Sequence, residues 1–128
     1  MLRRCENTED AEQVGKGGGI GGEAFATMVT SDSYVVGAIV VADSLYSTCG
    51  HKRPVVCMVT SSVSHASRKM LSGAGLQLEE VHDIASKGMS DVEAWNQSGY
   101  TKLNLWRLTH YSKLVYVDAD CLVVQRYW

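Results

Sequence analysis

The chain has 128 residues, 45% of them apolar and 20% charged, with a formal net charge of −2. A chain of that length makes one domain or part of one, and buries roughly two-thirds of its unfolded surface. Lys and Arg total 12 against 14 acids, so there is no basic excess for nucleic acid, and every apolar run is far short of the ~20 residues that cross a bilayer.

Residues 1–23, MLRRCENTEDAEQVGKGGGIGGE, are polar and then glycine-rich, with no apolar period, and read as a flexible leader. Arg3 and Arg4 are followed by acidic and Gly-rich sequence in place of an apolar segment, which argues against a secretory signal. Gly17, Gly19 and Gly22 satisfy GxGxxG. That fingerprint has to follow a strand and open a helix, and here it precedes the first strand, so the match is compositional.

From residue 24 the chain alternates. AFATMVT (24–30) is a β-prone run, and SDSYVVGAIVVADSLYSTCG (31–50) carries helix punctuation. Ser31 or Ser33 can cap that helix, Asp32 lies at its positive end and Gly50 suits its exit. Tyr34, Ala38, Val41 and Leu45 fall on one helical face. PVVCMVT (54–60) reads as a second strand, SHASRKMLSGAG (64–75) as a second capped helix, and LQLEEVHDI (76–84) as a third strand. After a stretch without period, TKLNLWRLTHY (101–111) reads as a short helix with Leu105, Trp106 and Leu108 available to pack, and KLVYVD (113–118) as a fourth strand. Strands and helices in alternation predict an α/β fold with a mostly parallel, doubly wound sheet. Ligands of such sheets bind beyond the carboxyl ends of the strands, which points to Thr30–Tyr34 and to Asp118–Asp120.

Cys5, Cys49, Cys57 and Cys121 show no CxxC or zinc-type spacing. Cys49, Cys57 and Cys121 sit among apolar residues, as expected of reduced, buried or half-buried thiols in a cytoplasmic protein. No two of His51, His65, His82 and His110 have a metal-ligand spacing. Trp95 and Trp106 are expected to pack.

The stretch VYVDADCLVV (115–124) places two carboxylates in apolar sequence. With seven aspartates in the chain, about 0.4 DxD triplets arise by chance, so the pair needs its context. In a flat strand the two Cα atoms would lie about 6.6 Å apart on one side. A turn at the small Ala119 would let both carboxylates approach one octahedral cation. Helix capping or a solvated turn is the alternative.

TKLNLWRLTHYSKLVYVDADCLVV resembles the core signature of glycogenin and its relatives, retaining glycosyltransferases of GT-A fold that include galactinol synthases. AFATMVTSDSYVVGAIVVADSL is similar to that family's first strand, nucleotide loop and first helix, and the resemblance covers residues 24–125. It implies a Rossmann-like GT-A fold, with residues 24–128 the N-terminal UDP-sugar-binding part of a truncated domain. It also implies that Met28, Thr30 and Ser31 surround the uridine and that Tyr34 packs on the uracil. Lys102 would face the donor's phosphates, while Asp118 and Asp120 hold Mn²⁺ or Mg²⁺, with Asp118 and Ala119 near the ribose. Taken singly, Tyr34 fits a core aromatic, Lys102 a solvated lysine, and Thr30 and Ser31 plain capping residues. SDVEAWNQSGY (90–100) has no Lys or Arg where glycogenins have a basic donor-binding residue, which leaves the sugar open between glucose and galactose. The implied partners are a UDP-sugar donor and an acceptor (protein, glycan or polyol), without nucleic acid or membrane and with a homo-oligomer left open. The resemblance places the acceptor side of the cleft, the sugar contacts and a third metal ligand in a second half beyond residue 128. The alternatives are a catalytically incomplete module that binds a nucleotide or a partner, and a DxD phosphatase of the haloacid-dehalogenase type, in which Leu122 would stand where Thr or Val is required.

Overall fold

The structure, a computed structural model, describes residues 22–84 and 97–125. The expected leader up to residue 21, Trp95 and most of SDVEAWNQSGY lie outside the described residues.

Four strands, β1 (Gly22–Val29), β2 (Val55–Val59), β3 (Gln77–Glu80) and β4 (Tyr111–Tyr116), form one sheet in the order β3-β2-β1-β4, every pairing parallel. β2, VVCMV, is apolar throughout because both of its faces are covered and all five residues are buried. Helix α1 (Val35–Cys49) connects β1 to β2, and α2 (His65–Gly73) connects β2 to β3. The chain then crosses back to lay β4 on the opposite side of β1. The direction of winding therefore reverses between β1 and β4, and the carboxyl ends of those two strands flank the crevice this reversal creates.

Alternation along the strands divides the core in two. Phe25 and Val29 of β1, with Val55, Cys57 and Val59 of β2, face Val35, Ala38, Val41 and Leu45 of α1 and Leu71 of α2. Ala24 and Met28, with Val56 and Met58, face the other way onto Val81 and Leu108, and Leu114 and Tyr116 of β4 border that second cluster.

Several local expectations change. The first helix is preceded by a 3₁₀ turn at Asp32–Tyr34, and neither Ser31 nor Tyr34 makes a side-chain cap. The Ser31 and Ser33 hydroxyls bond each other at 2.7 Å instead. Ala38, Val41 and Leu45 do share the buried face, but Tyr34 is 52% exposed because the 3₁₀ turn rotates it off that face. Ser64 caps α2 as expected, accepting from the Ser67 amide at 3.2 Å, and Gly50 leaves α1 with φ of 75°.

TKLNLWRLTHY does not make one helix. A short α3 (Gln97–Thr101) gives way to a 3₁₀ turn over Lys102–Arg107. The buried Asn104 holds this turn, since its Nδ2 donates to the Thr101 and His82 carbonyls, each at 2.9 Å. Trp106, expected to pack, is 73% exposed, and Cys121 is exposed also.

Candidate functional site

β4 ends at Tyr116, two residues before the first aspartate. Its last bond to the sheet is from the Val117 amide to the Ala26 carbonyl at 2.8 Å. The chain then turns, with the Cys121 amide donating to the Asp118 carbonyl at 3.1 Å. The aspartates accordingly occupy a turn beyond the strand, so the flat-strand separation does not apply to them.

α1 fixes the position of this turn. Gly37, in its first turns, lies so close to Ala119 that a Cβ there would overlap the Ala119 carbonyl oxygen. Farther along the helix, the Ser44 hydroxyl accepts from the Val123 amide at 3.2 Å, and the Thr48 hydroxyl donates to the Val123 carbonyl at 3.2 Å. Val123 itself is buried in the first core cluster. The segment after the aspartates is thereby held along α1 from Gly37 to Thr48.

Tyr116, at the end of β4, borders the second core cluster with Leu105 and Leu108, and Lys102 of the 3₁₀ turn reaches both it and Asp118. Its Nζ lies 2.7 Å from Asp118 Oδ1 and 5.2 Å from the centre of the Tyr116 ring. The Tyr116 hydroxyl donates to the same carboxylate oxygen at 3.0 Å. Partial burial pushes the Asp118 carboxyl up, but the Lys102 and Tyr116 hydrogen bonds outweigh it and hold the group below the usual carboxylate range. Burial, reinforced by the neighbouring carboxylate, raises the Tyr116 phenol well above its ordinary value, so it remains a donor at neutral pH. Asp120 is exposed beside the Cys121 thiol.

Across the crevice, the loop after β1 presents Thr30, Ser31 and Tyr34. The Thr30 carbonyl accepts from Thr60 Oγ1 at 3.2 Å, and Asp32 accepts from the Ser64 amide at 2.8 Å. Bonds from the backbone amide of Ser64 and then from the Ser67 and Ser64 hydroxyls hold the Asp32 carboxyl below its usual range. These contacts tie the loop to the start of α2 and leave Tyr34 projecting. Met28 is different: it is 7% exposed and packs with Val56, Met58, Val81 and Leu108 in the second core cluster. Of the eight expected site residues, Lys102 and Asp118 meet directly, Ala119 and Asp120 lie in the same turn, Thr30, Ser31 and Tyr34 lie in the segment after β1, and Met28 is buried in the second core cluster.

Among the described residues no group of three His, Cys, Asp or Glu side chains is placed to hold a metal ion. The donors at the turn are two carboxylates, an all-oxygen set suited to a hard divalent cation that takes its remaining ligands from phosphate and water. None of the described helices is long and apolar enough to cross a membrane.

Two residues of this arrangement escape a reading by motif. Gly37 was signalled by a glycine inside a helical pattern, VVGAIVVA, where it costs helix stability unless something must approach closely. Tyr116 was signalled by the single hydroxyl in LVYV, but its partner depends on the turn that follows.

Comparisons with known proteins bear on this geometry. UDP-glucuronate:xylan alpha-glucuronosyltransferase 2 of Arabidopsis thaliana is 35% identical over 104 residues, covering 80% of this chain and 17% of that protein. Glycogenin-1 of Caenorhabditis elegans is 38% identical over 116 residues, covering 80% of this chain and 25% of its own length. Glycogenin-2 of Homo sapiens is 34% identical over 129 residues, which is 96% of this chain and 25% of the relative. The chain thus spans a quarter or less of the length of these relatives. The family described as Glycosyl transferase family 8 matches residues 26–127, from the middle of β1 through the aspartate turn, and the parallel sheet with flanking helices is the Rossmann-like GT-A arrangement. A match over residues 26–127, most of the chain, shows that it belongs to glycosyl transferase family 8.

Proposed function

We propose that this chain is the donor-binding part of a glycosyltransferase that uses a UDP-sugar and a divalent cation, Mn²⁺ or Mg²⁺. The observation that carries the reading is the Lys102–Asp118 ion pair, with Asp120 two residues on in the same turn, at the point where the sheet reverses its winding. Thr30, Ser31 and Tyr34 follow the neighbouring strand β1 and would take the nucleoside, with Tyr34 exposed and able to stack on a uracil ring. Met28 would lie near the uridine from its place in the second core cluster, and Ala119, held close to Gly37, would lie near the ribose beside Asp118.

Asp118 and Asp120 would hold the cation, which when bound neutralises charge that develops on the diphosphate as it leaves the sugar. Lys102 adds a positive charge on the phosphate side, and Tyr116 keeps the Asp118 carboxylate oriented. Relatives named for UDP-glucuronate widen the donor choices beyond glucose and galactose to a hexuronate. The family assignment leaves the phosphatase reading without support. Since the chain aligns with a quarter or less of its relatives, we expect the 128 residues alone to bind donor without efficient transfer.

Calorimetric titration of UDP, with and without Mn²⁺, tests the proposal. Binding should require the metal, and Asp120→Asn should abolish that requirement together with most of the affinity. Binding that ignores Mn²⁺, or an Asp120→Asn variant indistinguishable from wild type, would overturn it.

A further inference from the structure

We propose that Lys102 is the resident counter-ion of Asp118, and that its transfer from carboxylate to phosphate makes binding of the divalent cation and the nucleoside diphosphate interdependent. The proposal rests on the donor-site reading above and adds a rule for how that site fills.

Asp118 Oδ1 already has two donors, the Lys102 ammonium at 2.7 Å and the Tyr116 hydroxyl at 3.0 Å. A carboxylate oxygen offers two lone-pair directions, so both are engaged, and a cation can use this oxygen only when one donor leaves. The two donors differ in freedom. Tyr116 is a strand residue at the border of the second core cluster, and its ring is fixed there. Lys102 has a flexible four-carbon stem, and its side chain is 39% exposed. The lysine is therefore the donor that departs.

A departed ammonium needs a new anion, and the fitting receiver is a diphosphate on the same side of the turn. A cation alone either displaces Lys102 from Oδ1 or binds the other carboxylate oxygen beside an uncompensated ammonium, and both are unfavourable. A diphosphate alone meets two carboxylates, and a lysine already engaged with one of them. Together each removes the other's obstacle, and such coupling is reciprocal by linkage. The Tyr116 ring, 5.2 Å from Nζ, gives the ammonium a π face to move across.

The test measures Mn²⁺ binding to the full 128-residue chain by electron paramagnetic resonance of free Mn²⁺, with and without UDP, in wild type and Lys102→Met. In wild type, UDP should tighten Mn²⁺ binding by about tenfold or more. Lys102→Met should bind Mn²⁺ alone about threefold or more tighter than wild type, the equivalent of losing a partly exposed ion-pair competitor. UDP should then improve its Mn²⁺ affinity by a factor several-fold smaller than in wild type. A variant that binds Mn²⁺ alone no tighter, or retains the wild-type coupling factor, overturns the proposal.

A measurement on the unmodified chain checks the same step. Labelling of the Lys102 amine, read by mass spectrometry, should rise with Mg²⁺ alone and fall when UDP is added. Labelling unmoved by Mg²⁺ refutes the exchange. Wild type that fails to bind UDP at all, even with Mn²⁺, would instead bring down the donor-site reading itself.

Discussion

Replacing Gly37 with alanine tests whether α1 sets the position of the aspartate turn. Inside an exposed helix that change is favourable by about 1 kcal/mol, because alanine is the better helix former. At Gly37 the added Cβ would overlap the Ala119 carbonyl oxygen and lie 3.2 Å from the carbonyl carbon. Both obstructing atoms are backbone, so no rotamer change relieves the contact, and either α1 or the turn has to move. Overpacking of this kind costs about 1–3 kcal/mol. Gly73 is the matched control, since it is helical, has no positive φ and nothing lies within 4 Å of an added Cβ. Part of the propensity gain cancels between the two variants, and Gly37→Ala should be less stable than Gly73→Ala by about 1–3 kcal/mol in urea unfolding. For a domain of this size each kcal/mol corresponds to roughly 4–8 °C in Tm. The shift also displaces Asp118 and Asp120, so Mn²⁺-dependent UDP binding should weaken in Gly37→Ala and not in Gly73→Ala. Equal stability of the two variants, within about 0.5 kcal/mol, would refute the close approach.

Acid should expose the Asp118 ion pair. A carboxyl whose folded pKa is depressed contributes stability above its unfolded value, and that contribution is lost as pH falls through the folded one. The stability gap between wild type and Asp118→Asn should therefore be full near neutrality and shrink below about pH 4, with a size under about 1 kcal/mol because the pair is partly exposed. Asn104→Ala leaves the His82 and Thr101 carbonyls without their buried donor and should cost about 1–3 kcal/mol in urea unfolding; a loss below about 0.5 kcal/mol would contradict that role. Burial pushes the Cys57 thiol up to about 12, whereas Cys121 is exposed. Iodoacetamide at pH 8, followed by peptide mapping, should alkylate Cys121 in the folded chain and Cys57 only after denaturation. Alkylation of Cys57 at the rate of Cys121 would contradict its placement in the core.

The alternating elements were legible because burial of a parallel sheet on both faces demands runs such as VVCMV, and a helix against it demands the spacing of Ala38, Val41 and Leu45. Their order along the chain was enough to predict an α/β sheet and to mark the ends of the first and fourth strands as the place for a ligand. The resemblance of TKL and DAD to the family's motifs marked Lys102, Asp118 and Asp120 jointly, where singly they would pass for a solvated lysine and a turn. Local pattern failed where a long-range contact overrode it. Tyr34 fits the helical spacing yet stands in solvent, since a 3₁₀ turn precedes the helix. Trp106 looks like core and is exposed, since the buried Asn104 holds its segment in a 3₁₀ turn.

What the amino-acid sequence determined by itself was therefore the class of fold, the residue types at the crevice and the strands that carry them, all consequences of periodicity and side-chain chemistry within short windows. Only the tertiary structure decided which partners those residues meet. Placing β4 beside β1 made the reversal point, Gly37 set how close α1 comes to Ala119, and the turn after Tyr116 brought a tyrosine and a lysine onto one oxygen of Asp118. Such meetings join residues as many as 91 positions apart through packing on a shared sheet, and no spacing along the chain encodes them.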